Sequence, residues 1–194
     1  MNVYDFDNTI YDGESSFDFF LFCSRKNKKV LKYILPVINV MLKYKMCRIT
    51  TDELIAKGEQ YMSAFLSCLD NPKEIIKEFW DKHEHKIKDF YRNIKKPDDV
   101  IISASCDVLL EEICLRLGIK NLLASSIDTE NCKVKYLCYR DNKVKLFKEF
   151  FPDAVIDNFY SDSLNDLPMM SLAKRAFLVK GNKIKEYTKK LNAH

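Results

Sequence analysis

Hydrophobic and polar positions divide the chain into stretches of different period. A short apolar run, Val3-Tyr4-Asp5-Phe6-Asp7-Asn8-Thr9-Ile10, opens it and carries two aspartates at i and i+2. Side chains alternate along a strand, so Asp5 and Asp7 share a face if the strand runs straight through. After the polar, turn-like residues 11–16 the period lengthens to that of helices. Phe17, Phe20, Leu21 and Ser24 mark one helical face, residues 28–44 a second helix, and Thr51 or Asp52 caps a third that runs to about residue 68. Asn71-Pro72 opens a fourth, with proline in its favoured first-turn position, expected to end near Tyr91. Four helices without strands read as a self-contained helical unit.

The period changes again at Lys95-Lys96-Pro97-Asp98-Asp99. Val100-Ile101-Ile102 has the signature of a buried strand, and a helix over 107–117 closes at Gly118, a C-cap residue. Strands follow at 121–124 and, with half-exposed alternation, at 133–139. A helix is expected over 142–150, a strand over 155–160, a helix over 164–173, a strand over 176–179 and a last helix over 182–191. Strands alternating with helices predict an α/β fold with a doubly wound parallel sheet. The expected division is a core of residues 1–13 and 95–194, interrupted by an all-helical insertion over 14–94. Ligands of such sheets sit at the carboxyl ends of the strands.

Composition narrows the classes. With 194 residues, 47% apolar and 12% aromatic, the chain sustains a core and is not disordered. Seven cysteines form no CxxC pair and no cysteine–histidine cluster at zinc spacing. An odd count with no signal peptide points to free thiols in a reducing, cytoplasmic setting. Residues 30–46 are apolar but interrupted by Lys32, Pro36, Lys43 and Lys45, leaving about half of the ~20 residues that a spanning helix needs. The net charge of +4 is modest, and no nucleic-acid partner is expected. It is unevenly placed: residues 14–97 hold 17 Lys and Arg against 11 Asp and Glu.

The strand ends carry the chemistry. The first ends in Asp5 and Asp7, the second in Ser103, and the strand near 160 in Ser161-Asp162-Ser163-Leu164-Asn165-Asp166, with Lys143 and Lys145 opening the helix before it. Buried like charges must be offset by a cation or by protonation. Acids, a hydroxyl and a lysine converging on one crevice suit a carboxylate nucleophile, an Mg²⁺ held by oxygen ligands and donors for a phosphate.

In these motifs the chain resembles the haloacid dehalogenase superfamily phosphatases, in the branch that includes phosphoserine phosphatase. Asp5-Phe6-Asp7-Asn8-Thr9 matches DxDxT, Ser103 the hydroxyl motif, and Asp162 to Asp166 the acidic (G/S)D-S-x-x-D motif, with Ser161 where glycine is frequent. The lysine motif is looser, and Lys143 fits its spacing better than Lys145. The helical insertion resembles the branch's cap. The resemblance implies Asp5 as nucleophile and Asp7 as general acid and then base. It further implies Mg²⁺ held by Asp5, the Asp7 carbonyl and Asp162 with Asp166 in support, and phosphoryl oxygens held by Ser103 and Lys143. That division of labour requires the chain to leave strand geometry just after Asp5, with Thr9 holding the loop. Glu14 stands at the offset of a substrate-contacting glutamate in phosphoserine phosphatases. His83 and His85 are expected to be solvated on a charged helix face.

Two further readings share the scaffold: a phosphorylatable receiver-type module and a catalytically silent interaction protein. A receiver carries its phosphorylated aspartate on a later strand and lacks the insertion, and intact Asp5, Asp7, Asp162 and Lys143 argue against silence. For the substrate, residues 25–48 hold eight Lys and Arg and no acid around an apolar centre. Such a segment either packs its apolar side inward or lies on an anionic membrane. The expected substrate is therefore a phosphorylated small molecule or glycerolipid.

Overall fold

Alternation within the short β-branched runs decides which residue faces which layer. The computed structural model describes residues 1–46, 48, 50, 53, 57, 65, 69, 71–128, 130, 131 and 133–188. It begins with β1 (Asn2–Tyr4) and α1 (Ser15–Lys26), then a 3₁₀ segment at Lys28–Tyr33 that leads into α2 (Ile34–Lys45). The expected third helix, 51–68, lies outside the described residues apart from Glu53, Lys57 and Phe65. The insertion continues with α3 (Pro72–His83), a 3₁₀ turn at Glu84–Lys86 and α4 (Asp89–Ile94). Then come β2 (Val100–Cys106), α5 (Asp107–Leu117), β3 (Asn121–Asp128), β4 (Lys133–Tyr136) and α6 (Asp141–Phe150). The chain closes with β5 (Ile156–Ser161), a 3₁₀ turn at Leu164–Asp166, α7 (Leu167–Met170), β6 (Ala173–Lys180) and β7 (Lys183–Glu186).

The sheet has seven strands in the order β4-β3-β2-β1-β5-β6-β7. Its five inner strands are parallel, and β4 and β7 close the edges antiparallel. Val3, Val100 and Ile102 pack into one apolar cluster with Phe147, Met169 and Met170. Tyr4 and Ile101, one residue out of phase, pack into the other with Leu109, Leu110 and Ile113. The period of two thus covers both faces, as a doubly wound sheet requires. β1 sits where the strand order reverses, between β2 and β5, so its carboxyl end opens on the crevice of the fold.

Phe19, Phe22, Phe79 and Trp80 from the insertion belong to the same cluster as Tyr4, Phe6 and Tyr11. The indole of Trp80 donates to the Leu109 carbonyl at 2.8 Å, fastening α3 to α5. Helices α1, α3 and α4 of the insertion therefore share the core of the sheet layer. Asn71 caps α3 with Pro72 in its first turn, and Gly118 closes α5 in the left-handed region, both as the sequence predicts.

Three expected helices are corrected. The last one is a hairpin strand: Lys180 pairs with Lys183 around Gly181-Asn182, and Gly181 has φ 57°. A glycine with positive φ at the first turn position favours a tight hairpin, and Lys-Ile-Lys-Glu then alternates as β7. The fourth helix stops at His83, because residues 86–88 pair with the loop after β1. Tyr11 bridges Ile87, the Asp12 amide donates to the Lys86 carbonyl, and the Lys88 amide donates to the Ile10 carbonyl. His83, rather than being solvated, is half-buried and stacks on Phe79. The helix expected over 164–173 shrinks to a 3₁₀ turn and α7, since Ala173 already pairs with Ile156 in β6.

Candidate active site

The chain leaves strand geometry immediately after β1. The Asp5 amide still donates to the Tyr160 carbonyl, but the amides of Thr9, Ile10 and Tyr11 all fold back onto the Phe6 carbonyl. Asn8 takes φ 57°, a left-handed conformation that asparagine tolerates better than most residues. Asp5 and Asp7 consequently do not share one environment.

Asp5 is buried and meets Lys143 and Thr9. Lys143 Nζ donates to Asp5 Oδ1 at 2.8 Å, and Thr9 Oγ1 donates to Asp5 Oδ2 at 3.2 Å. Lys143 comes from the first turn of α6, which starts after Arg140 turns the chain with φ 49°. The same ammonium lies 2.9 Å from Asp166 Oδ1 and 3.0 Å from its Oδ2. Ser161 Oγ donates to Asp166 Oδ2 at 2.8 Å, so the serine in place of the frequent glycine supplies a donor here. Thr9 Oγ1 also accepts from the Asp162 amide at 2.8 Å, tying the loop after β1 to the one after β5. Lys180 donates to the Asp162 carbonyl.

Asp7 turns the other way. Its Oδ1 accepts from the Ser15 amide at 2.6 Å, capping the first turn of α1, and its Oδ2 accepts from Ser105 Oγ at 2.6 Å. Both the orphan amide and the positive end of the helix favour a carboxylate there. Ser103 is fully buried at the end of β2, and its Oγ accepts from the Ser105 amide at 3.1 Å. Glu14 is exposed and takes a hydrogen bond from Asn8 Nδ2 at 2.9 Å. Lys145 is exposed on the outer side of α6.

Charge balance within this cluster is unfavourable without a cation. Burial, opposed by Lys143 and assisted by Asp166 and Asp7, pushes Asp5 up to about 7. Burial also raises Asp7, against hydrogen bonds from Ser105 and Ser15, and raises Asp162, against Lys180. Burial disfavours the Lys143 ammonium, but Asp5 and Asp166 more than offset it, holding its pKa above the ordinary lysine value. Four acids thus surround one buried ammonium. Among the described residues no three His, Cys, Asp or Glu side chains are spaced to hold a metal by themselves. Mg²⁺ does not need them: it typically takes one or two carboxylates and fills its remaining places with waters and phosphate oxygens. The hard oxygen donors and the excess of negative charge fit that ion.

The fold thus brings Asp5, Thr9, Lys143, Asp162 and Asp166 into one contact network, and Asp7 and Ser103 into another that meets it at the end of β1. Glu14 reaches the loop between them through Asn8, and Lys145 points away from both. Sequence reasoning missed Ser105, Ser15 and Ser161 as partners of these acids. The Ser103-x-Ser105 spacing at a strand end is the sequence signal that points to Ser105.

The family model for haloacid dehalogenase-like hydrolases matches residues 3–171. No curated protein matches the sequence. Among solved structures, a Bordetella pertussis Tohama I protein of unknown function superposes with a TM-score of 0.72 at 15% identity, covering 91% of this chain and 87% of that one. A phosphoserine phosphohydrolase-like protein from Francisella tularensis gives 0.57 at 16% identity, over 91% and 86%. A phospho-aspartyl intermediate analogue of phosphoserine phosphatase gives 0.52 at 16%, over 90% and 83%. At these identities the structures speak for the fold, while the family match spans most of the chain. On that match the chain belongs to the haloacid dehalogenase-like hydrolases.

Proposed function

We propose that this hydrolase is a Mg²⁺-dependent phosphomonoesterase that works through a phosphorylated Asp5. The observation that carries the reading is the Asp5 carboxylate at the switch point of the sheet, held between Lys143 and Thr9 with Asp162 and Asp166 alongside. Asp5 attacks phosphorus as the bond to the leaving oxygen breaks, and Asp7 gives that oxygen its proton. Water then attacks the phosphorus of the aspartyl-phosphate while Asp7 takes its proton, and the Asp5–phosphorus bond breaks. Ser103 and Lys143 hold the transferring phosphoryl oxygens, so that charge is balanced where it develops. Asp5, the Asp7 carbonyl and Asp162 would hold the ion, with Asp166 in support. When bound, Mg²⁺ would neutralise charge on the phosphoryl oxygens. The segment 14–94 serves as the cap over the crevice, with Glu14 at its entrance as a candidate substrate contact. A screen of phosphorylated metabolites with and without Mg²⁺ tests the reading. Metal-dependent release of phosphate supports it, and inertness toward every phosphomonoester would remove it.

One observation favours a phosphorylated glycerolipid among the substrates. Leu35, Leu42 and Met46 are exposed, and their spacing puts them on one stripe along α2 and just beyond it, beside exposed Lys28, Lys29, Lys32 and Lys43. No described helix is long and apolar enough to cross a membrane, so contact would be at the surface. Co-sedimentation with phosphatidylglycerol vesicles, absent with phosphatidylcholine, supports this version; no binding to anionic vesicles at low salt removes it.

A further inference from the structure

The Asp7 carboxylate is held by groups that the motifs leave unassigned. Its two oxygens meet donors from different parts of the fold: Oδ1 takes the Ser15 amide of α1 and Oδ2 the Ser105 hydroxyl of β2. A hydroxyl has one proton, and Ser105 spends it on Asp7, so its oxygen is left as an acceptor. Ser15 Oγ donates to it at 3.3 Å, and Ser16 Oγ lies 2.8 Å away. Ser105 is buried, and its amide donates to Ser103 Oγ. One residue therefore touches the acid, the hydroxyl assigned to the phosphate and the first turn of the insertion. The β2–β3 register shifts at this point, between Ser103 and Cys106.

We propose that Ser105 is a positioning residue for proton transfer, its hydroxyl fixing the Asp7 carboxylate and its oxygen coupling that carboxylate to Ser15 and Ser16 at the start of α1. This rests on the reading of Asp7 as the group that protonates the leaving oxygen. With Ser105 in place, the carboxylate is held at both oxygens and does not rotate about its Cβ–Cγ bond. Without it, Asp7 loses its tether to β2 and is held from Ser15 on α1 alone among the described contacts. Because Ser15 and Ser16 open the inserted segment, a shift of α1 on the core reaches Asp7 through the Ser105 hydroxyl as well as through the Ser15 amide.

Leaving-group dependence separates this role from a structural one. Proton donation matters most when the leaving oxygen is a poor leaving group, as in an alkyl phosphate, and least for p-nitrophenyl phosphate. General acid–base catalysis contributes roughly 10²–10⁴-fold, and misplacing the acid forfeits part of that. Ser105→Ala is expected to lower kcat on both substrates, with the loss about tenfold greater on glycerol phosphate than on p-nitrophenyl phosphate. Ser16→Ala, an exposed change that leaves the core intact, is expected to split the substrates in the same direction and by less. Asp7→Asn is the reference. If it splits the substrates while Ser105→Ala and Ser16→Ala lower both alike, the positioning role is overturned and the reading of Asp7 stands. If Asp7→Asn itself shows no split, the acid assignment falls and the inference with it.

Discussion

At the residue scale, the site separates two aspartates that the sequence presents as a pair. Strand alternation alone puts Asp5 and Asp7 on one face; the turn onto the Phe6 carbonyl sends one to Lys143 and the other to α1. Lys143 is the only one of the two candidate lysines in contact with the acids. Lys143→Met should therefore lower activity by about 100-fold or more, as loss of a charge-stabilising donor does, while Lys145→Met stays near wild type. Steady-state kinetics on the two variants decide it, and the reverse ranking would reassign the lysine. Thr9 is fully buried and joins Asp5 to the Asp162 amide. Thr9→Val keeps the shape but strands that amide, and should cost roughly 1–3 kcal/mol, read as a shift in the denaturation midpoint. The acids, Ser103 and the lysine motif were legible because motif spacing and strand ends coincide. Ser105 and Ser161 were not, because a serine's role depends on what faces it, and that is set by a register shift and a loop closure rather than by local pattern.

At the element scale, the inserted helices are tied to the core through short contacts close to the site. Asp18 on α1 accepts from Tyr11 Oη at 2.6 Å and from Lys86 Nζ at 2.5 Å, with Gly13 packed so closely that an added Cβ would lie 3.0 Å from that ammonium. Burial alone would raise the Asp18 carboxyl, yet hydrogen bonds from Lys86 and Tyr11 hold it below the ordinary value. A depressed carboxyl contributes stability above its unfolded pKa, and that contribution is lost as pH falls through the folded one. Asp18→Asn should therefore be less stable than wild type at neutral pH, with the gap closing as the solution is acidified. Denaturant midpoints across pH measure this, and a gap independent of pH would contradict it. The strands and the helices α5 and α6 were legible from period and caps. The end of α3 and the strand β7 were not: the first yields to backbone pairing with residues 10–12, and in the second a Gly-Asn turn outweighs the helical leaning of Lys and Glu.

At the scale of the whole molecule, the order of the strands is what assembles the site. β1 lies between β2 and β5, so residues near 5, 103 and 162 meet although nearly the length of the chain separates them. The cluster that results holds more negative charge than Lys143 balances, and a ligand that binds only the folded state stabilises it. Mg²⁺ should accordingly raise the unfolding temperature of the wild type, and Asp162→Asn should reduce that rise; equal shifts in both would place the ion elsewhere. The proposed bond between Asp5 and phosphorus is tested by p-nitrophenyl phosphate hydrolysis with the wild type and Asp5→Asn, each with and without Mg²⁺. Metal-dependent turnover by the wild type and a loss of at least about 10³-fold in the variant are expected. Equal rates for the two proteins would contradict the proposed bond.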